Sequence, residues 1–110
     1  FAAMASFNLA RAAYEAVPEG QRVHVGPIVS RDHFYRVVPG QVEGLAKYGV
    51  LGVEMEAAAM YGTAAEYGKE ALTVLTVSDH LLDPSGDMSP EDRESKFQTA
   101  LAVAVAAAHS

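Results

Sequence analysis

Two carboxylates flank one methionine in the stretch Glu54-Met55-Glu56, where a short apolar run gives way to an alanine-rich segment. If residues 50–53 form a buried strand and a helix begins at Ala57, both glutamates lie at the carboxyl end of a strand, where open α/β sheets bind their ligands. Acidic residues at the start of a helix are also stabilised by the helix dipole alone. These residues by themselves therefore leave a ligand-binding role and a helix-capping role open.

A second polar pair, Ser78-Asp79, ends the apolar run of residues 71–78, which is the strongest strand pattern in the chain. The order strand, helix, strand predicts a βαβ crossover in which residues 50–53 and 72–78 are parallel. Parallel strands share a carboxyl edge, so we expect Ser78 and Asp79 to lie close to the two glutamates. Such an acidic cluster can accept hydrogen bonds from sugar hydroxyls or hold one protonated carboxyl group for acid catalysis.

Other kinds of site have less support in the sequence. Neither a DxDxDG loop nor an HExxH pair is present, and no pair among the four histidines has metal-ligand spacing, so no metal site is predicted. Ser30 and Ser78 lack the GxSxG turn that exposes a nucleophile, so a hydrolase triad is not predicted either. Arg93 follows a turn-rich stretch at residues 82–88, and either an ion pair with a neighbouring acid or a contact with Asp79 or an anionic ligand remains open for it.

Composition limits the class of protein. A chain of 110 residues that is 50% hydrophobic and 20% charged is long enough for one domain or part of one. No apolar run is long enough to span a bilayer and no signal peptide is recognised, so a soluble protein is expected. The absence of cysteine fits a reducing compartment, and a net charge of -6 with scattered Lys and Arg argues against nucleic-acid binding. Because the chain begins at Phe1 in helix-forming sequence, we expect it to be part of a longer protein.

The pattern of apolar residues predicts an α/β fold with a mixed, largely parallel sheet flanked by helices. Helices are predicted over residues 3–17, 42–48 and 57–68, with Gly49 and Gly68 as stop signals, and strands over residues 22–30, 50–53 and 71–78. A last helix is predicted from Pro90, after Ser89 as its cap. Its apolar stripe is predicted to consist of Phe97, Ala100, Leu101, Ala104, Val105 and Ala108.

Several separated motifs resemble one known family when they are taken in order. They are Val-His-Val-Gly at 23–26, Phe34-Tyr35, Gly-Val-Glu-Met-Glu-Ala at 52–57, Thr-Val-Ser-Asp-His at 76–80, and Arg93. This series resembles the carboxyl-terminal half of the nucleoside phosphorylase family, and within it most closely the bacterial hexameric, DeoD-type purine nucleoside phosphorylases. The resemblance implies that residues 1–110 are the carboxyl-terminal part of a single phosphorylase domain with a three-layer α/β fold.

The resemblance also implies a role for each residue of the Glu54-Met55-Glu56 stretch. Glu56 is similar to the family's ribose-binding glutamate, whose carboxylate accepts hydrogen bonds from the sugar hydroxyls. Met55 is similar to the methionine that packs on the ribose and supplies a backbone N–H. Val53 and Glu54 match residues that line the same pocket. These four residues are therefore expected to form the sugar side of a nucleoside site.

The base side of the expected site is implied by the other motifs. Phe34 is similar to the aromatic residue that stacks near the base, and Ser78 is expected among the substrate-binding residues. Asp79 is similar to the general acid that protonates N7 of the purine, with Arg93 as its partner. Uridine phosphorylases hold the base with a glutamine and an arginine instead, so the Ser-Asp pair favours a purine.

The activity that the resemblance implies is phosphorolysis of purine (deoxy)ribonucleosides to the free base and the sugar 1-phosphate. It implies inorganic phosphate as co-substrate, no cofactor, no nucleic-acid or membrane partner, a cytoplasmic location and a homohexamer. The family's phosphate-binding residues come from its amino-terminal half and a neighbouring subunit, and they do not map onto this chain. A related nucleosidase acting on methylthioadenosine or AMP, and a non-catalytic nucleoside-binding member of the fold, therefore stay open as alternatives.

Overall fold

The computed structural model describes residues 1–36, 38–83 and 89–110. At residues 92–95 it describes the helical backbone but not the side chains. Within these ranges the elements are α1 (Phe7–Glu15), β1 (Ile28–Ser30), α2 (Gln41–Lys47), β2 (Gly52–Glu54), α3 (Ala57–Glu66) and α4 (Pro90–Ala108). The predicted α/β class is confirmed, and α4 begins at the predicted proline. Among the described helices, none combines the length and the apolar character that a membrane crossing requires.

The sheet in the described part of the chain consists of β1 and β2, which run parallel. Helix α2 makes the crossover between them, so the βαβ unit lies one element earlier than the sequence pattern predicts. Of the predicted strand at residues 22–30 only the last three residues pair. Pro27 has no N–H to donate, although its carbonyl accepts a hydrogen bond from the N–H of Leu51 at 2.8 Å, and this explains why regular pairing starts after it.

The strand predicted at residues 71–78 is not formed, because this described segment is neither helix nor strand. The predicted pairing of residues 50–53 with 72–78 is therefore wrong. A β-branched run favours a strand, but a strand also needs a neighbour for its backbone N–H and C=O groups. Here the carbonyl of Ala71 accepts from the N–H of Ser6 at 2.9 Å, and the N–H of Thr73 donates to the hydroxyl of Tyr61 at 3.0 Å. These hydrogen bonds attach the start of the segment to the N-cap residue of α1 and to α3.

Glycines end α2 and α3 as predicted. Gly49 and Gly68 adopt positive φ angles of 87° and 64°, which side chains with a Cβ rarely adopt. After α3 the N–H of Lys69 reaches back to the carbonyl of Ala64 at 2.8 Å, the bond that characterises a Schellman motif. These stops place β2 and residues 71–78 directly after their preceding helices.

The buried core lies mainly between α1 and α4, where Ala13 meets Val103 and Ala107. Leu72 and Val74 pack against this cluster from the side. The apolar stripe predicted for α4 is wrong for its largest members, since exposed large side chains include Phe97, Leu101 and Val105. Residues 100–108 are apolar on almost every face, so their pattern does not select the face that contacts α1.

Candidate functional site

Strands β1 and β2 end side by side at Ser30 and Glu54. The register pairs Val29 with Val53 and Ser30 with Glu54, and the N–H of Arg31 continues the ladder by donating to the carbonyl of Glu54 at 2.8 Å. Residues that are paired in parallel strands present their side chains on the same face of the sheet. The hydroxyl of Ser30 and the carboxylate of Glu54 therefore meet where α3 begins.

The carboxylate of Glu54 caps α3. One carboxylate oxygen, Oε1, accepts a hydrogen bond from the hydroxyl of Ser30. The other, Oε2, accepts from the backbone N–H groups of Glu56 at 2.6 Å and Ala57 at 2.7 Å. The first N–H groups of a helix have no partner within the helix, so they need such acceptors. Glu54 supplies them from the end of the preceding strand.

Ser30 extends the same network by one further N–H. Its oxygen accepts a hydrogen bond from the backbone N–H of Ala58 at 2.9 Å while its hydroxyl donates to Glu54. A hydroxyl group has one donor and two acceptor positions, so it can serve both partners at once. Together Ser30 and Glu54 satisfy three successive N–H groups at the start of α3.

Glu54 is expected to stay ionised because of these bonds. Partial burial by itself raises the pKa of its carboxyl group, since it disfavours the charged form. The hydroxyl of Ser30 and the backbone N–H groups of Glu56, Ala57 and Met55 oppose this effect and together hold the pKa below its usual value of 4.5. The sheet edge therefore carries a fixed negative charge against the positive end of the α3 dipole.

Glu56 differs from Glu54 in what its side chain does. It occupies the N-cap position of α3 with φ -130°, yet its side chain makes no capping hydrogen bond. The carboxylate lies in an exposed residue, next to Met55, whose side chain is 40% exposed. The two roles that the sequence left open are therefore divided: Glu54 caps the helix, and the carboxylate of Glu56 is accessible to a ligand.

Two further predicted site residues, Phe34 and Val53, are also accessible. Phe34 lies in the loop after β1 and is 73% exposed, and its ring packs edge-on against Tyr35 with the ring centroids 4.9 Å apart. Val53 is the middle residue of β2 and is 36% exposed. Both can therefore contribute apolar surface to a ligand.

Ser78 and Asp79 lie at the end of the segment that does not form the predicted strand. The hydroxyl of Ser78 donates to Oδ2 of Asp79 at 3.1 Å, and Asp79 is exposed. Arg93 lies in the first turns of α4, and its side chain falls outside the described residues. Among the residues that the structure does describe, no three His, Asp or Glu side chains are grouped as a metal site requires.

Sequence reasoning missed Ser30 as a member of the site. The sequence pattern predicts residues 72–78 as the partner of residues 50–53, and it therefore gives Ser30 no role beside Glu54. The signal was nevertheless present, since Ser30 is the polar residue that ends the strand pattern of residues 22–30. Pairing that pattern with residues 50–53 places a hydroxyl beside the first glutamate.

Comparison with known proteins agrees with the motifs. The family model of the phosphorylase superfamily matches residues 1–109, which is nearly the whole chain. The chain belongs to the phosphorylase superfamily. The resemblance on which the site assignments depend is therefore confirmed at the level of the family.

Curated relatives are similar to this chain over most of its length. It is 50% identical over 99 residues to the DeoD-type purine nucleoside phosphorylase of Colwellia psychrerythraea, which covers 89% of this chain and 42% of that enzyme. It is 45% identical over 106 residues to the enzyme of the same name from Bacillus subtilis, covering 96% of this chain and 45% of the relative. The protein of that name from Pasteurella multocida is 44% identical over 106 residues, again covering 96% of this chain and 44% of the relative. The chain thus spans less than half the length of these relatives.

Proposed function

We propose that this chain provides the nucleoside-binding part of a purine nucleoside phosphorylase. One structural observation carries the proposal: the start of α3 is held by Glu54 and Ser30, while the carboxylate of Glu56 beside it is exposed and makes no capping bond. Identities of 44–50% to relatives named purine nucleoside phosphorylase support the assignment of the substrate.

The sugar side of the proposed site consists of Glu56, Met55, Val53 and Glu54. In this proposal the carboxylate of Glu56 accepts hydrogen bonds from the ribose hydroxyls, and a hydrogen bond to a charged acceptor is stronger than one between neutral groups. Met55 supplies an apolar surface beneath the sugar. Glu54 contributes its fixed negative charge to the lining of the proposed site, and its carboxylate holds the backbone N–H groups of Glu56 and Ala57.

The base side of the proposed site consists of Phe34, Ser78, Asp79 and Arg93. Attack of a phosphate oxygen at C1′ of the sugar breaks the C1′–N9 bond, and the electron pair of that bond passes to the departing purine. Asp79 donates a proton to N7 of the base, which neutralises this charge as it develops. Arg93 is the partner of Asp79, and Phe34 stacks near the base.

The reaction in this proposal consumes inorganic phosphate as co-substrate and includes no cofactor, since the nucleophile is phosphate and the leaving base needs only a proton. We also propose a cytoplasmic protein, with which the absence of cysteine agrees, and a homohexamer, which the resemblance to the hexameric enzymes supports. Purine nucleoside and phosphate are its small-molecule partners.

The phosphate dependence of base release tests the proposal. The intact protein that carries this chain is incubated with inosine or adenosine, and the free base and the sugar product are quantified with and without inorganic phosphate. A phosphorylase forms base and sugar 1-phosphate only when phosphate is present. Equal release of base and free sugar in its absence identifies a nucleosidase, and binding of nucleoside without release identifies a non-catalytic member of the fold; either result refutes the proposal.

A further inference from the structure

We propose that Ser30 is a positioning residue for nucleoside binding, which acts on Glu56 through Glu54 and the first turn of α3. This inference rests on the proposed function, because it assigns the orientation of the ribose-binding carboxylate to a side chain from another strand. Ser30 itself is not a ligand of the substrate in this proposal.

The argument begins with the two hydrogen bonds of one hydroxyl group. Ser30 donates to Oε1 of Glu54 and accepts from the N–H of Ala58. Loss of the hydroxyl leaves Oε1 of Glu54 without this donor and the N–H of Ala58 without this acceptor. Glu54 and Ala58 lie two residues before and two residues after Glu56. Loss of the Ser30 hydroxyl therefore removes a hydrogen bond on each side of Glu56.

The backbone of Glu56 is itself held at both ends. Its N–H donates to Oε2 of Glu54 at 2.6 Å, and its carbonyl accepts from the N–H of Met60 at 3.1 Å. The direction of a Cα–Cβ bond is set by the backbone to which it belongs. Fixing the N–H and the C=O of Glu56 therefore fixes the direction in which its side chain leaves the backbone, and with it the region that the carboxylate can reach. Ser30 contributes by holding the Glu54 carboxylate in the position from which it binds this N–H.

The chain contains a matched serine in a different place. The hydroxyl of Ser6 donates to Oε1 of Glu70 at 2.7 Å and accepts from the N–H of Leu9 at 3.2 Å, where it caps α1. Ser6 thus makes the same two kinds of bond as Ser30, to a glutamate and to a helix N–H. Ser6 caps α1 and not α3, so Ser6→Ala removes a helix cap without acting on Glu56.

The experiment compares Ser30→Ala, Ser30→Thr and Ser6→Ala in the intact protein. We expect Ser30→Ala to raise KM for a purine ribonucleoside about tenfold with a smaller change in kcat, because the interaction of Glu56 with the ribose contributes to both the bound and the transition state. Ser30→Thr keeps the hydroxyl in a strand position that favours β-branching, and it should restore KM to near the original value. Ser6→Ala should leave KM unchanged while lowering the melting temperature.

The second measurement is a double-mutant cycle with Glu56→Gln. If Ser30 acts through Glu56, Ser30→Ala adds little to the KM of a protein that already carries Glu56→Gln. Additive effects, or an unchanged KM in Ser30→Ala, refute the positioning role while the proposed function stands. If the starting protein releases no base from purine nucleosides, no KM is defined, the proposed function fails, and this inference fails with it.

Discussion

The β1–β2–α3 junction and residues 71–80 both carry candidate site residues after an apolar run, but their backbones are held differently. At the junction, strand pairing places Ser30 beside Glu54, and their side chains bind the N–H groups of α3. In residues 71–80 the backbone hydrogen bonds described above lie at Ala71 and Thr73, well before Ser78. The position of a functional side chain therefore depends on the hydrogen-bond partners of the backbone around it.

Residues 72–77 are covered on one side by the core. Leu72 and Val74 pack against the core between α1 and α4, whereas Leu75 is 49% and Val77 is 56% exposed. From residue 74 to residue 78, partly buried and exposed residues therefore alternate. Strand-forming residue types alone do not produce a strand, because the backbone must also find a neighbour.

Of the substitutions that test this comparison, we expect Asp79→Asn to have the largest effect. Asparagine keeps the size of the side chain but has no acidic proton, so kcat for release of a purine base should fall about 10²–10⁴-fold. The measurement is base release by the intact protein at saturating nucleoside and phosphate. Asp32→Asn, which removes an equal charge from an exposed residue in the loop after β1, should leave kcat unchanged.

A nucleoside that already carries an alkyl group on N7 tests directly whether Asp79 donates a proton to N7. Its base leaves without needing a proton at N7, so Asp79→Asn should slow its cleavage much less than that of the unmodified nucleoside. Equal losses for the two substrates would show that Asp79 does not act as the acid at N7.

The next largest effect is expected at the junction, from Glu56→Gln. A hydrogen bond to a charged group contributes about 1.5–3 kcal/mol, and about 1.4 kcal/mol corresponds to a tenfold change in affinity, so KM for the nucleoside should rise about 10–100-fold. Steady-state kinetics with a purine ribonucleoside measure this change. Glu66→Gln, an equal change at the exposed end of α3, is the matched control and should keep the original KM. Equal KM values for Glu56→Gln and Glu66→Gln would show that Glu56 does not bind the sugar.

The smallest free-energy change is expected in the stability of Glu54→Gln. Replacing a capping side chain costs about 1 kcal/mol of free energy of unfolding. The carboxylate of Glu54 accepts hydrogen bonds with both of its oxygens, whereas the glutamine amide has only one accepting oxygen, and it is uncharged. Since the pKa of Glu54 is lower in the folded protein than its usual value of 4.5, the unfolded chain binds the extra proton first as the pH falls. The contribution of Glu54 to stability is thus complete above pH 4.5 and is lost as the pH falls below that value through the lowered pKa.

Denaturant unfolding over a series of pH values measures this contribution. Glu54→Gln should be less stable than the original protein near neutral pH, and the difference should shrink as the solution becomes more acidic than pH 4.5. Glu19→Gln, in the exposed turn after α1, should follow the original protein throughout. A difference between Glu54→Gln and the original protein that stays constant with pH would contradict the capping role of the charged carboxylate.

The local elements of this fold could largely be predicted from the sequence, but their partners could not. Glycine stops at Gly49 and Gly68 and the start of α4 at Pro90 are decided by nearby residues, and these predictions are confirmed. The pairing of β2 with residues 28–30 depends on contacts that no local pattern encodes. The predicted pairing with residues 72–78 was wrong for that reason.

The candidate site shows the same limit. Glu54 and Glu56 were recognisable from residue type and position, but sequence left a capping and a binding role open for both. Glu54 is distinguished by its hydrogen bonds to the N–H groups of Glu56 and Ala57 and by the hydroxyl of Ser30, which the strand register brings to it. The role of Asp79 stays a prediction that Asp79→Asn addresses, and the role of Arg93 stays a prediction as well.

The pairing of Ser30 with Glu54 also has a consequence for how the chain folds. Shifting β1 against β2 by one residue would place Val29 or Arg31 opposite Glu54 and turn the paired side chains to the other face of the sheet. Valine has no hydroxyl to offer the carboxylate or the N–H of Ala58, so the shifted arrangement would leave the start of α3 without these bonds. The hydrogen bonds of the α3 cap therefore stabilise the observed register of β1 and β2 relative to a register that is shifted by one residue.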